Sequence, residues 1–172
     1  HCVAFAWLHY LEDGPVTQNH VPAPCIDTLE FYNRCQKVDY WIGEDYDGTS
    51  VRAGAKIAKE MGYIESYRFT TKVEELVETV INIGPVILGT NWYLDMTRPN
   101  VDGTVTPTGE DHGGHAYIVN GANWNTRMAR IKNSWGRGWG KNGYCYISFD
   151  DLQILLDQNG ECCLPIEIKK AA

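Results

Sequence analysis

A chain of 172 residues, 44% hydrophobic and 22% charged, is sized for one globular domain with a core of its own. Its net charge of −7 argues against nucleic acid or an anionic membrane surface as the main partner, and no run is apolar enough to span a bilayer. The six cysteines (Cys2, Cys25, Cys35, Cys145, Cys162, Cys163) are too sparse for a disulfide scaffold and lack paired C-x-x-C spacing, so most read as reduced, buried thiols and not as a zinc site.

The first predicted element is a helix from Cys2 to about Asp13. Ala4, Phe5, Leu8 and Leu11 repeat at helical spacing, and Gly14-Pro15 stops it. A loop rich in Pro and His follows. "DTLEFYNRCQKV" reads as a second helix capped by Asp27 or Thr28. "GTSVRAGAKIAKEMG" reads as a third, capped by Thr49 or Ser50 and ended by Gly62. "TKVEELVETVINIG" reads as a fourth, closed by Gly84. After Pro85 the period changes: "PVILGTNWY", "HAYIVNGANW", "MARIKNSW" and "GYCYISF" are short, β-branched or aromatic, and separated by Gly, Asn and Asp. A short helix "DDLQILLDQ" and a strand "CLPIEIK" end the pattern. Helices first and strands later imply an α+β domain over 1–172, with a helical half over about 1–80 and a β half over about 81–172. A cleft between such halves is a usual place for a site.

Three stretches carry chemistry. In "HCVAFAW", Cys2 opens the first helix, where the dipole and free N–H groups stabilise a thiolate. Taken alone, Cys2 reads more readily as a buried thiol than as a nucleophile, with half of a disulfide or a metal ligand as further alternatives. In "GGHAYIVNG", His115 opens a strand behind two glycines. In "KNSWGRGWGKNGYCYIS", Asn133 ends a strand and enters a loop rich in Gly and Trp. His112 is a rival base, and Glu110, Asp111, His112 and His115 form a rival metal set, but no further ligand cluster accompanies them.

N-S-W-G-x-x-W-G-x-x-G-Y, intact from Asn133 to Tyr144, resembles the signature around the catalytic asparagine of papain-like cysteine proteases. "GHAYIVNG" resembles the catalytic-histidine strand of that family, and "CVAFAW" its C-W-A-F-S after the nucleophile, with Val3 in place of the tryptophan. "GPVILGTNWY" and "DGTSVRAGAKIAKEMGYI" resemble the strand before the histidine and the Gly-rich loop with its helix. The matches keep the family order over nearly the whole chain, and the compact form is most similar to members from bacteriophages and bacteria.

The resemblance implies a papain-like two-lobe fold, a helical lobe and an antiparallel β half or barrel with the cleft between them. It implies a thiol peptidase acting on a polypeptide through an acyl-enzyme, without cofactor or metal. Cys2 would be the nucleophile and His115 the base, with Asn133 orienting the imidazole. Trp135 would cover the His–Asn bond and Trp139 would line the leaving-group side. Gly48 falls where the family binds substrate backbone, and Thr49 replaces the family's next glycine, which would narrow the approach. Val51, Gly89 and Ala116 fall near the pocket for the second residue before the scissile bond, which they would make apolar.

The family's oxyanion glutamine lies several residues before the nucleophile, where this sequence has His1 alone. The sequence therefore reads as a fragment or one half of a cleaved protein, with an upstream segment or pro-peptide as a partner, or as a member that has lost the glutamine. Two other readings compete: a weak or inactive papain-fold virion or assembly protein, and a phage peptidoglycan hydrolase.

Overall fold

Helix α1 (Cys2–Asp13) buries Val3, Ala4, Ala6, Trp7, Tyr10 and Leu11, which share one broad face of the helix, and leaves Phe5 and Glu12 exposed on the other. The computed structural model describes residues 1–14, 26–40 and 48–166. The Pro- and His-rich loop with Gln18 and Cys25, and the end of the final predicted strand, lie outside the described residues.

Helix α2 (Thr28–Val38) starts at Asp27, whose carboxylate accepts from the N–H groups of Leu29 and Glu30 at 2.9 and 3.0 Å. Helix α3 (Val51–Glu60) starts at Ser50, whose hydroxyl accepts from Ala53 N–H, and ends through Gly62 at φ 75°, a left-handed turn suited to glycine. Gly54 lets α3 approach α1 closely, since a Cβ there would stand 2.2 Å from the Trp7 indole nitrogen.

The chain continues through β1 (Ser66–Thr70), α4 (Val73–Asn82), β2 (Val86–Tyr93), a 3-10 turn (Leu94–Met96), β3 (Asp111–Asn123), β4 (Met128–Lys132), β5 (Tyr144–Ser148), α5 (Phe149–Asp157) and β6 (Glu161–Ile166). The strands form one antiparallel sheet in the order β1-β6-β2-β3-β4-β5.

The sheet has a helical layer on each face. Ile87, Ala116, Ile118 and Cys163 pack with α1, α2 and α3 in one core. Val86, Leu88, Tyr117 and Val119 pack with α4 and α5 in the other. Residues 116–119 of β3 thus alternate between two buried faces, which is why that stretch is apolar without interruption. Two features depart from the reading by halves. Strand β1 was not expected, and it pairs with β6 at the far end of the chain. Helix α4, assigned to the helical half ending near residue 80, buries Val73, Leu76 and Val77 in the second core. Periodicity identifies the helix and its stripe, but not the sheet face that the stripe covers.

Candidate active site

The N-terminus of α1 and the start of β3 line a cleft of about 500 Å³, and the loop after β4 reaches His115 from behind through Asn133. His1 precedes the helix without capping it by a side-chain bond; its ring stacks on Tyr32 at 4.4 Å. The first-turn N–H groups beside Cys2 therefore keep their positive field directed at the cleft. Burial pushes the Cys2 thiol up. Hydrogen bonds with His115 and the Ala116 N–H, together with the imidazole charge, outweigh that, and the net shift is downward.

His115 is itself buried, and its Nε2 lies 2.8 Å from Asn133 Oδ1. The same Oδ1 accepts from Ser134 N–H at 2.7 Å, which fixes the amide with its oxygen toward the ring. Nε2 must then carry the proton, leaving Nδ1 as the atom available to the Cys2 proton. Asn133 reaches this place because its loop closes tightly: its own N–H donates to Gly143 O at 3.0 Å, and Gly143 N–H donates to Trp139 O at 2.8 Å. Gly136, Gly140 and Gly143 stand at φ 81°, 55° and 91°, so all three glycines of the motif are demanded by the backbone.

Two tryptophans contact the imidazole and a third backs them. Trp135 tilts over it at 5.1 Å between centroids, and 44% of its own surface stays exposed. Trp92 meets it edge-on at 4.9 Å and is fully enclosed, a contact not foreseen in the sequence. Trp139, expected on the leaving-group side, stacks behind Trp92 and Trp135, and its indole N–H donates to Thr97 O at 2.7 Å. That bond ties the loop after β4 to the chain beyond the 3-10 turn.

An ion-pair network ties the helix of the thiol to the strands of its partners. Asp13, at the far end of α1, accepts from Lys132 Nζ at 2.7 Å on one oxygen and from Asn120 Nδ2 at 2.8 Å on the other. Lys132 ends β4 immediately before Asn133, and Asn120 lies in β3 with His115.

Gly48, Thr49, Val51, Gly89 and Ala116 all line the cleft. The Thr49 hydroxyl is turned back to Asp39 at 2.6 Å. The pocket of Val51, Gly89 and Ala116 is not wholly apolar, because Glu161 from β6 also lines it. Burial raises the Glu161 carboxyl, against the opposing influence of Arg52 and the Val51 N–H, which donates to it at 3.1 Å. A Cβ on Gly89 would lie 2.8 Å from Val51 Cγ2 and 4.0 Å from Glu161 Oε2, so the glycine leaves this pocket open.

The rival metal set does not assemble: among the described residues no three of His, Cys, Asp and Glu converge on an ion-sized site, and Asp111 accepts from Gly113 N–H. The three described glutamines all have hydrogen-bond partners. Gln36 donates to Tyr32 Oη, Gln153 braces α4 at Val73, and Gln158 accepts from Tyr93. Among the described residues, no helix is long and apolar enough to cross a membrane.

The model of the papain family cysteine protease matches residues 25–163, a span that holds His115 and Asn133 and begins after α1. An uncharacterized peptidase C1-like protein of Acanthamoeba polyphaga mimivirus is 28% identical over 152 residues, covering 78% of this chain and 47% of the relative. Cathepsin B-like cysteine proteinase 4 of Caenorhabditis elegans is 29% identical over 138 residues, covering 78% of this chain and 37% of the relative. The chain thus spans less than half the length of these curated relatives. Among solved structures, xylellain, a cysteine protease from Xylella fastidiosa, superposes with a TM-score of 0.73 at 19% identity, over 98% of this chain and 80% of the other. The Carica candamarcensis cysteine protease CMS1MS2 gives 0.69 at 15% identity, over 98% and 89%. These two likenesses are of fold. Its sequence matched over most of its length and its helices and sheet arranged as in those structures, the chain belongs to the papain family of cysteine proteases.

Proposed function

We propose that this chain hydrolyses peptide bonds through Cys2, His115 and Asn133. The observation that carries the reading is the relay itself: a thiol of lowered pKa bonded to a histidine whose other nitrogen is held at 2.8 Å by a fixed amide oxygen. The Cys2 thiolate attacks the carbonyl carbon, and the carbonyl electron pair moves onto oxygen near the Cys2 N–H and the helix terminus. As the tetrahedral species collapses, the C–N bond breaks and imidazolium gives its proton to the leaving amine. The thioester that remains is opened by water, whose proton His115 takes. The acid product leaves, and the ion pair of thiolate and imidazolium returns. Asn133 is neutral, so it holds the ring in both protonation states without adding charge to that pair.

Release of dye-labelled peptides from an unfolded protein substrate tests the reading. The wild-type chain should release them, Cys2→Ala should not, and bacterial cell walls should keep their turbidity with both. Clearing of cell walls without cleavage of protein would replace peptidase with wall hydrolase.

The cleft residues Gly48, Thr49, Val51, Gly89 and Ala116 bind the substrate on this reading, with the side chain of one residue entering beside Gly89. Gly89→Leu should lower kcat/KM for peptides with a bulky side chain there by about 10–200-fold relative to those with alanine, the range set by a methylene or two in a pocket. Paired peptide substrates measure it, and an equal loss for both would remove Gly89 from the pocket.

A further inference from the structure

The substrate edge at Gly48–Ser50 lies in neither helix nor strand, so no ladder fixes its backbone. Gln36 Nε2 donates to Gly48 O at 3.4 Å, and Thr49 and Ser50 are held by Asp39, a buried side chain just beyond α2. Its Oδ2 accepts from the Thr49 hydroxyl at 2.6 Å and from Ser50 N–H at 2.7 Å. Its Oδ1 accepts from the Ser50 hydroxyl at 2.9 Å and from Tyr40 N–H at 2.8 Å. Among the described residues, Asp39 has no ion-pair partner; its charge is met by hydrogen-bond donors alone.

We infer that Asp39 is a positioning residue for the substrate-binding edge, clamping Thr49 and Ser50 so that the Gly48–Thr49 backbone faces an extended peptide. This rests on the reading of that edge as the peptide's binding strip. The clamp also passes force into α3. By donating its hydroxyl proton to Asp39, Ser50 leaves its oxygen lone pairs for Ala53 N–H at 3.1 Å, so one carboxylate sets both the strip and the cap of the helix behind it. Burial pushes the Asp39 carboxyl up, but bonds from Thr49, Ser50 and Tyr40 outweigh it and hold the group below its usual range. The carboxylate is thereby kept in the acceptor form that the clamp requires.

An amide in its place cannot do the same, because one of its two ends donates and would face Thr49 and Ser50, or Ser50 and Tyr40, donor to donor. Asp39→Asn should raise KM for extended peptides about tenfold with kcat nearly unchanged. Alkylation of Cys2 by iodoacetamide, which needs no binding strip, should keep its rate. Hydrogen exchange should show faster exchange at residues 48–53 in Asp39→Asn, with α1 and the sheet still protected. Thr49→Val, which deletes the single 2.6 Å bond, should move KM the same way by less, and it serves if Asp39→Asn does not fold.

Unchanged KM, or kcat and alkylation falling together with it, would overturn the assignment. Unchanged exchange at 48–53 would overturn the clamp whatever the enzyme does. A wild-type chain that alkylates at Cys2 yet cleaves no peptide would instead overturn the peptidase reading and the role drawn from it, while exchange would still decide whether Asp39 holds the segment.

Discussion

Iodoacetamide at pH 6 should modify Cys2 long before Cys35, Cys145, Cys162 or Cys163. The attacking species is the thiolate, and its population is set by surroundings that differ sharply among these residues. Burial pushes Cys35 and Cys145 up to about 12 and raises Cys162 and Cys163 as well. At pH 6 a thiol with a pKa of about 12 is ionised in about one molecule in 10⁶. All four are fully enclosed, which slows the reagent further. Cys2 is partly exposed and shifted downward by its bonds to His115 and the Ala116 N–H. Because its folded pKa lies below the ordinary thiol value, its advantage is greatest on the acid side and narrows as pH rises through that value. Peptide mass mapping against time would measure the ratio. His115→Ala should erase the acid-side advantage, whereas His112→Ala should leave it, since His112 is exposed and does not line the cleft. Uniform labelling, or labelling led by a buried cysteine, would remove Cys2 from the role of nucleophile.

What could be read from the sequence and what could not divide along a physical line. Asp27 and Ser50 were legible as caps because a cap bonds within three residues of itself. Asn133 was legible because its loop imposes left-handed backbone at Gly136 and Gly143, which leaves a mark in residue type. Trp92 left no such mark. It reaches His115 through the pairing of Thr90 with His115, and register is a property of two strands that neither sequence segment states alone. Glu161 enters the pocket because β6 lies beside β2, opposite Gly89, so an acidic residue next to a cysteine pair gave no hint of it. Strand β1 was missed for the same reason, its five residues gaining their order from a partner at the other end of the chain. Asp39 carried no signal in the sequence, because its bonds reach Thr49 and Ser50 ten and eleven residues away.

Asn133→Ala and His115→Ala should be strongly non-additive in turnover. Removing the imidazole deletes both the proton acceptor for Cys2 and the donor for the leaving amine, and His115→Ala should lower kcat by about 10²–10⁴-fold. Asn133→Ala leaves the ring in place but frees it to rotate and to lose the Nε2–H tautomer, so it should lose part of that factor, about tenfold to a hundredfold. If Asn133 acts solely by orienting His115, its removal has nothing left to damage once the ring is gone. The double variant should then turn over as slowly as His115→Ala and no slower. Folding must be checked alongside, because Asn133 N–H also bonds Gly143 O within the loop; that bond belongs to the backbone and survives the substitution. Urea midpoints of the single and double variants close to wild type would confirm that the loop is intact. A further loss of similar size in the His115→Ala background would show that Asn133 acts by building the loop under Trp135, and the orienting role would have to be given up.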